Sequence, residues 1–79
     1  MQTPNVLAQV PCGDVIRALS RHASGDWGDV DAHDKAANDA ALIEGTRLLS
    51  VYSSESGTKF WIITEADRSA TTVLLPEDY

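Results

Sequence analysis

The stretch TRLLSVYSSESGTKFWIITEADRSATTVLL, Thr46 to Leu75, constrains this chain more than any other, because it carries most of the large apolar side chains in three short runs. Gly45, Ser53 to Gly57 and Glu65 to Ser69 punctuate it, and the runs between are rich in Leu, Val, Ile, Tyr, Phe and Trp. Half-buried strands look like this, so the pattern predicts a three-stranded antiparallel meander. In the first run Leu49 and Val51 point one way and Leu48, Ser50 and Tyr52 the other; in the second, Phe60, Ile62 and Thr64 oppose Trp61 and Ile63. Both faces are therefore apolar, and helices from the rest of the chain can cover only one. The other is expected to stay near water unless an N-terminal arm, a second copy or a partner covers it.

Upstream, Val6 to Val10 is a short apolar run stopped by Pro11, which reads as an edge strand or an extended arm against the sheet. Pro11-Cys12-Gly13-Asp14 then starts a helix, with Asp14 placed to accept from free amides. Val15, Ile16, Leu19 and Ala23 form its expected packing face, and Arg17 and Arg21 share the outer one. Gly25 suits the helix terminus, and Trp27 between glycines is expected to fold back as a core plug. A second helix begins with Asp31 as N-cap and Asp34 three residues on, and ends at Gly45. Ala32, Ala36, Ala40 and Ile43 are its expected packing face, with Asp31, Asp34, Lys35 and Asn38 on the other. The expected fold class is α+β: two helices on one face of a three-stranded antiparallel meander, with a short N-terminal edge strand or arm.

At 79 residues the chain has the size of one small domain, near the limit at which a core sustains itself without metals or disulfides. Its one cysteine, Cys12, cannot form an intramolecular disulfide, which favours a reducing cytoplasm. The start MQTPNVLAQV lacks the basic flank and apolar core of a signal peptide, and no run is long enough to cross a bilayer, so no membrane association is expected. Twelve acidic residues against six basic ones give a net charge of −6. Direct nucleic-acid binding is disfavoured by that repulsion, whereas a basic protein surface would be attracted; solubility alone also explains such acidity.

The charge is most uneven between Asp26 and Glu44, where Asp26, Asp29, Asp31, Asp34, Asp39 and Glu44 face only Lys35. Two readings compete. Either these carboxylates form a ridge that imitates a nucleic-acid backbone and engages Lys and Arg on a DNA-binding protein, or they cap and solvate a helix start. An EF-hand loop from Asp29 fails, because Asp34 stands where Gly is needed and Ala40 where Glu is needed; weak surface binding of Ca²⁺ or Mg²⁺ is all that remains. Cys12, His22 and His33 match no zinc spacing, and no cofactor motif is present. A nucleophile–base pair of Cys12 and His22 oriented by Asp14 is conceivable, but one helix would have to present all three, and a buried cysteine with a helix-end histidine is the simpler account. No catalytic residue is assigned. In the turn Glu65 to Ser69, Glu65 or Asp67 is expected to pair with Arg68. Tyr52, Trp61 and Tyr79 would form an aromatic patch if they shared the open sheet face, with core packing or a homodimer seam as the alternative.

The segments GDWGDVD (Gly25 to Asp31), EGTRLLSVY (Glu44 to Tyr52) and above all TKFWIITEADRSATTVLLPEDY (Thr58 to Tyr79) resemble a family of small bacterial proteins carried on plasmids, prophages and other mobile elements. The resemblance covers Gly25 to Tyr79, and the family has no established activity, so it implies a setting more than a mechanism. Small acidic mobile-element proteins include anti-CRISPR inhibitors, particularly of type I Cascade complexes. The functional expectation is accordingly a non-enzymatic, DNA-mimicking inhibitor of a CRISPR effector. Asp26, Asp29, Asp31, Asp34 and Asp39 would supply charge, and Trp27 or Tyr52 an apolar anchor. The alternative is a structural or regulatory homodimer built on the open sheet face; monomer and dimer are both compatible with the sequence.

Overall fold

The three apolar runs become strands where their alternation places them. A computed structural model describes residues 1–79. Strands β1 (Leu48–Ser53), β2 (Lys59–Thr64) and β3 (Thr71–Leu74) form an antiparallel sheet in the order β1-β2-β3. Tyr52 stands opposite Phe60, Leu49 opposite Ile63, and Ile62 opposite Val73. Three helices precede the sheet, α1 (Pro4–Gln9), α2 (Cys12–Ala23) and α3 (Ala32–Glu44), and a 3-10 turn at Pro76–Asp78 follows it. The fold class is thus α+β, with a helix more than the sequence pattern predicts. No helix is long and apolar enough to cross a membrane.

All three helices lie on one face of the sheet. The main core joins Val6 and Val10, Val15 and Ala18 of α2, and Tyr52, Phe60, Ile62, Val73 and Leu75 from the sheet side. A smaller cluster of Trp27, Ala41 and Leu48 seats α3 beyond the β1 end. Each fully buried aliphatic or aromatic side chain contributes roughly 1.5–3 kcal/mol, so these two clusters dominate the favourable side of folding.

Both edges of the sheet are closed by the chain itself. On the β3 side Thr3 N–H donates to Val73 O at 3.0 Å and Val73 N–H to Met1 O at 2.7 Å, a parallel bridge. On the β1 side Asp29 N–H donates to Val51 O at 2.7 Å and Val51 N–H to Trp27 O at 3.0 Å. Two residues along, the Asn38 side chain completes the seal: its amide donates to Leu49 O at 2.5 Å and its carbonyl accepts from Leu49 N–H at 3.0 Å. An asparagine amide carries one donor and one acceptor side by side, so it replaces a strand residue here. Unpaired edges invite other strands, and none is left exposed along β1 or β3 at these positions.

Several expectations are corrected. Val6 to Val10 is not a strand: Thr3 caps α1 by accepting from Val6 N–H, Pro4 occupies the first turn, and the edge pairing falls on Met1 to Thr3 instead. In α2 the buried side is Asp14, Val15, Ala18 and His22, leaving Ile16 61% exposed. Asp14 does not cap its own helix; it accepts from Glu55 N–H in the β1–β2 loop at 3.2 Å and pairs with Arg17. In α3 the face is reversed. Asn38 and Ala41 are buried, whereas Ala32 and Ala36 are exposed and Ile43 is 90% exposed. Alanine contributes little on either side of a helix, so a polar residue with two backbone partners and Trp27 packing decided the rotation. Arg68, at φ 62°, pairs with no carboxylate; its guanidinium reaches the carbonyls of Thr46 and Ala41 at 2.6 and 3.0 Å and ties the β2–β3 turn to the end of α3.

Gly28 is the position this arrangement tolerates least. Its φ is +76°, and a Cβ there would lie 2.0 Å from Val51 O and 2.8 Å from the Tyr52 ring. Gly25 has φ +84° but open space around it. Gly25→Ala is therefore expected to cost about 1–2 kcal/mol for the left-handed backbone alone. Gly28→Ala should cost clearly more and loosen the β1 edge, as read by urea unfolding and by amide exchange at Val51; equal losses for the two variants would contradict this account.

Candidate functional site

The acidic segment begins where Trp27 to Asp29 pairs with β1 and continues through the first turn of α3. Its carboxylates divide into two groups. Asp26 takes two hydrogen bonds from Arg21, at 2.8 and 3.1 Å, and that guanidinium holds its carboxyl below the ordinary aspartate range. Asp39 accepts from the Trp27 indole N–H at 2.9 Å and from Lys35 at 3.1 Å, and these two, the indole first, lower its pKa as well. Both are committed within the fold. Asp29, Asp31 and Asp34 have no Lys or Arg partner: Asp31 caps α3 by accepting from Asp34 N–H at 2.8 Å, and Asp29 accepts weakly from Ser53. All three are exposed, and His33 lies 3.7 Å from Asp34.

The structure does not bring the expected anchors to this surface. Trp27 is 3% exposed and Tyr52 2% exposed, because Trp27 plugs the space under α3 and the Tyr52 hydroxyl donates to Asp26 O at 2.6 Å. The plug reading of Trp27 holds and the anchor reading does not. Of the seven residues expected to meet a partner, Asp29, Asp31 and Asp34 remain presented without a cation. Asp31, His33 and Asp34 also bring two carboxylate oxygens and a ring nitrogen within 4.8 Å of one another, all at the surface.

His22 is the side chain whose place the sequence did not disclose. It lies in the core, 8% exposed, with Nδ1 2.5 Å from Ser50 Oγ and Nε2 2.8 Å from Thr64 Oγ1. Thr64 continues to Thr71 Oγ1 at 2.9 Å, so one imidazole joins α2 to all three strands. The Trp27 ring meets it edge-on at 5.6 Å. A Ser–His contact invites a catalytic reading, but Ser50 is fully buried, no carboxylate orients the ring, and its second nitrogen is taken by Thr64. Nor is His22 coupled to Cys12, which is exposed, or to Asp14, which serves Arg17 and the β1–β2 loop.

A shallow pocket of about 230 Å³ opens between α2 and the β1–β2 loop, lined by Asp14, Arg17, Arg21, Tyr52, Ser54 and Glu55 among others. Its arginines are already paired, Arg17 with Asp14 and Arg21 with Asp26, so it offers a ligand little unspent charge. On the opposite side of the sheet Trp61 and Tyr79 do share a patch, their ring centroids 5.7 Å apart, while Tyr52 points to the helices. Tyr79, with the Arg47 guanidinium 5.7 Å from its ring, roofs part of that face. Ile63 and Leu74 are accordingly only 5% and 6% exposed, less than an open face would leave them.

No family model matches this chain, and neither do curated proteins or solved structures.

Burial lowers the His22 pKa from 6.5, because the charged imidazole loses solvent it would keep in the unfolded chain. The sign follows from linkage: above pH 6.5 both states are neutral and stability is complete, while below it the unfolded chain binds the proton more readily and stability falls. The unfolding temperature of the wild type is expected to drop between pH 7.5 and pH 5, and His22→Gln, which keeps a donor and an acceptor, should flatten that slope. A parallel pH dependence in the two proteins would mean that His22 is not its source. Asp26, Asp39, Asp67 and Asp78, all lowered from 3.8 by hydrogen bonds, act in a separate window, losing their contribution only as pH falls through 3.8 and below.

Proposed function

We propose that this protein is a non-enzymatic inhibitor, acting in the cytoplasm, that docks its acidic surface on the basic DNA-binding face of a larger complex. The partner implied by the mobile-element resemblance is a type I CRISPR surveillance complex. The observation that carries the reading is the group Asp29, Asp31 and Asp34, exposed at one end of α3 without a Lys or Arg partner. Surplus negative charge on a rigid helix start suits a partner rich in Lys and Arg, since fixed carboxylates offer charge-assisted hydrogen bonds at little ordering cost. The sealed sheet edges agree with this, because strand addition is not needed for recognition. Asp26 and Asp39 position the surface rather than contact the partner: one anchors the Arg21 corner, the other the Trp27 indole.

Docking of this kind steers association by charge, weakens with salt, and excludes DNA by occupancy. The test is a binding measurement against purified type I surveillance complexes, with target DNA as competitor. Asp29→Lys with Asp34→Lys removes the proposed contacts while keeping Asp31 as cap, so affinity should fall about tenfold or more with the unfolding midpoint little changed. Full inhibition by that double variant, or failure of the wild type to bind or to compete with DNA, would remove the proposal.

A further inference from the structure

The basic side chains are distributed in a way the acidic surface does not explain. Four of the six have partners within the chain: Arg17 in Asp14, Arg21 in Asp26, Lys35 in Asp39, and Arg68 in backbone carbonyls. Arg47 and Lys59 have neither a carboxylate nor a carbonyl partner, and both are exposed. Strand alternation puts them on the same side of the sheet, the side away from the helices. Lys59 shares it with Trp61 and Ile63, and Arg47, directly before β1, shares it with Leu49 and Val51 and leans over Tyr79.

Lys59 is level with Ser53, so the two cations stand about six strand residues apart, roughly 20 Å at 3.3 Å per residue. Between them Leu49, Val51 and Trp61 remain half-buried, Trp61 in T-shaped contact with the Tyr79 ring. We propose that this face is a docking site for an extended acidic protein segment, whose carboxylates meet Arg47 and Lys59 and whose apolar side chain seats on Leu49, Val51 and Trp61. Because both edges are paired, the segment lies across the face and does not join the sheet as a strand.

Charge complementarity selects this occupant. A nucleic-acid strand carries a charge at every nucleotide, which two cations on a chain of net charge −6 do not match. A second copy would set Arg47 and Lys59 against the same two cations across the two-fold axis, which an acidic segment does not. An acidic segment needs carboxylates at only two places, six residues apart, with aliphatic side chains between.

Trp61 reports on binding directly, since the other tryptophan, Trp27, is buried in the core. The probe is a synthetic peptide with two glutamates six positions apart and leucines between them, titrated against the full chain at low salt while tryptophan emission is followed. A saturable change is expected for this peptide, not for the same peptide with lysines in place of glutamates, and not for oligo-dT. The Arg47→Glu, Lys59→Glu double variant alters two exposed side chains, so circular dichroism should show an unchanged fold and the affinity should fall about tenfold or more. Absence of a saturable change, equal affinity in the double variant or for the lysine peptide, or preference for oligo-dT would each overturn the proposal. So would light scattering showing a dimer that the double variant leaves intact while peptide binding is absent. Asp31 and Asp34 lie on a different element and are tested against a different partner, so these outcomes do not bear on them, whereas Asp29 reaches Ser53 beside Lys59.

Discussion

Sealing the first strand of the sheet is the constraint from which most of this structure follows. A three-stranded meander has two edges and little area, and β1 would present Leu49 and Val51 with unpaired N–H and C=O groups. The chain answers with two different devices on consecutive outward residues, a backbone bridge from Trp27 and Asp29 to Val51 and the side chain of Asn38 on Leu49. The bridge requires backbone contact so close that only glycine fits at position 28. It also fixes where Trp27 enters the core and where α3 begins. Because Asn38 must face β1, the whole helix is turned, and with it the positions of Asp31, Asp34 and Ile43.

Polar side chains, not apolar ones, set the relative placement of the elements. Hydrophobic burial is non-directional, and a helix with alanine on several sides packs in more than one rotation at similar cost. Asn38 and His22 remove that freedom, since a buried amide or imidazole left without partners costs roughly 1–3 kcal/mol. No buried side-chain nitrogen or oxygen lacks a partner. Asp78 plays the same part at the surface, accepting from Thr3 at 2.7 Å and Asn5 at 2.6 Å and so joining the two ends of the chain.

The same folding decides which charges remain free. Carboxylates that sit close in sequence are parted in role: Asp26 and Asp39 are bound to cations on α2 and α3, and Asp29, Asp31 and Asp34 are left at the start of α3, with Glu44 at its other end. Cations undergo the same sorting, which leaves Arg47 and Lys59 on the sheet face. The molecule thus carries an acidic start to α3 and two unpaired cations on the sheet face, with Asp29 reaching Ser53 beside Lys59, although its composition alone describes a uniformly acidic chain.

The features legible before folding are local ones. Strand alternation, the turn residues, Asp31 as cap and Gly45 at φ +76° as helix terminus are legible because each depends on neighbours within a few residues. The fold class follows from them, and so does the burial of Trp27. Tertiary structure decided the rest: that Val6 to Val10 is mostly helix, that Ile16 and Ile43 face water, that Tyr52 is core, and that His22 spans three strands. Periodicity cannot choose between two weakly apolar faces of a helix, because the choice rests on hydrogen bonds made by polar residues to strands that come later in the chain. The candidate surface was legible as composition, six carboxylates in one stretch, but the four left without a Lys or Arg partner, Asp29, Asp31, Asp34 and Glu44, were selected by partners at distances only the folded chain defines.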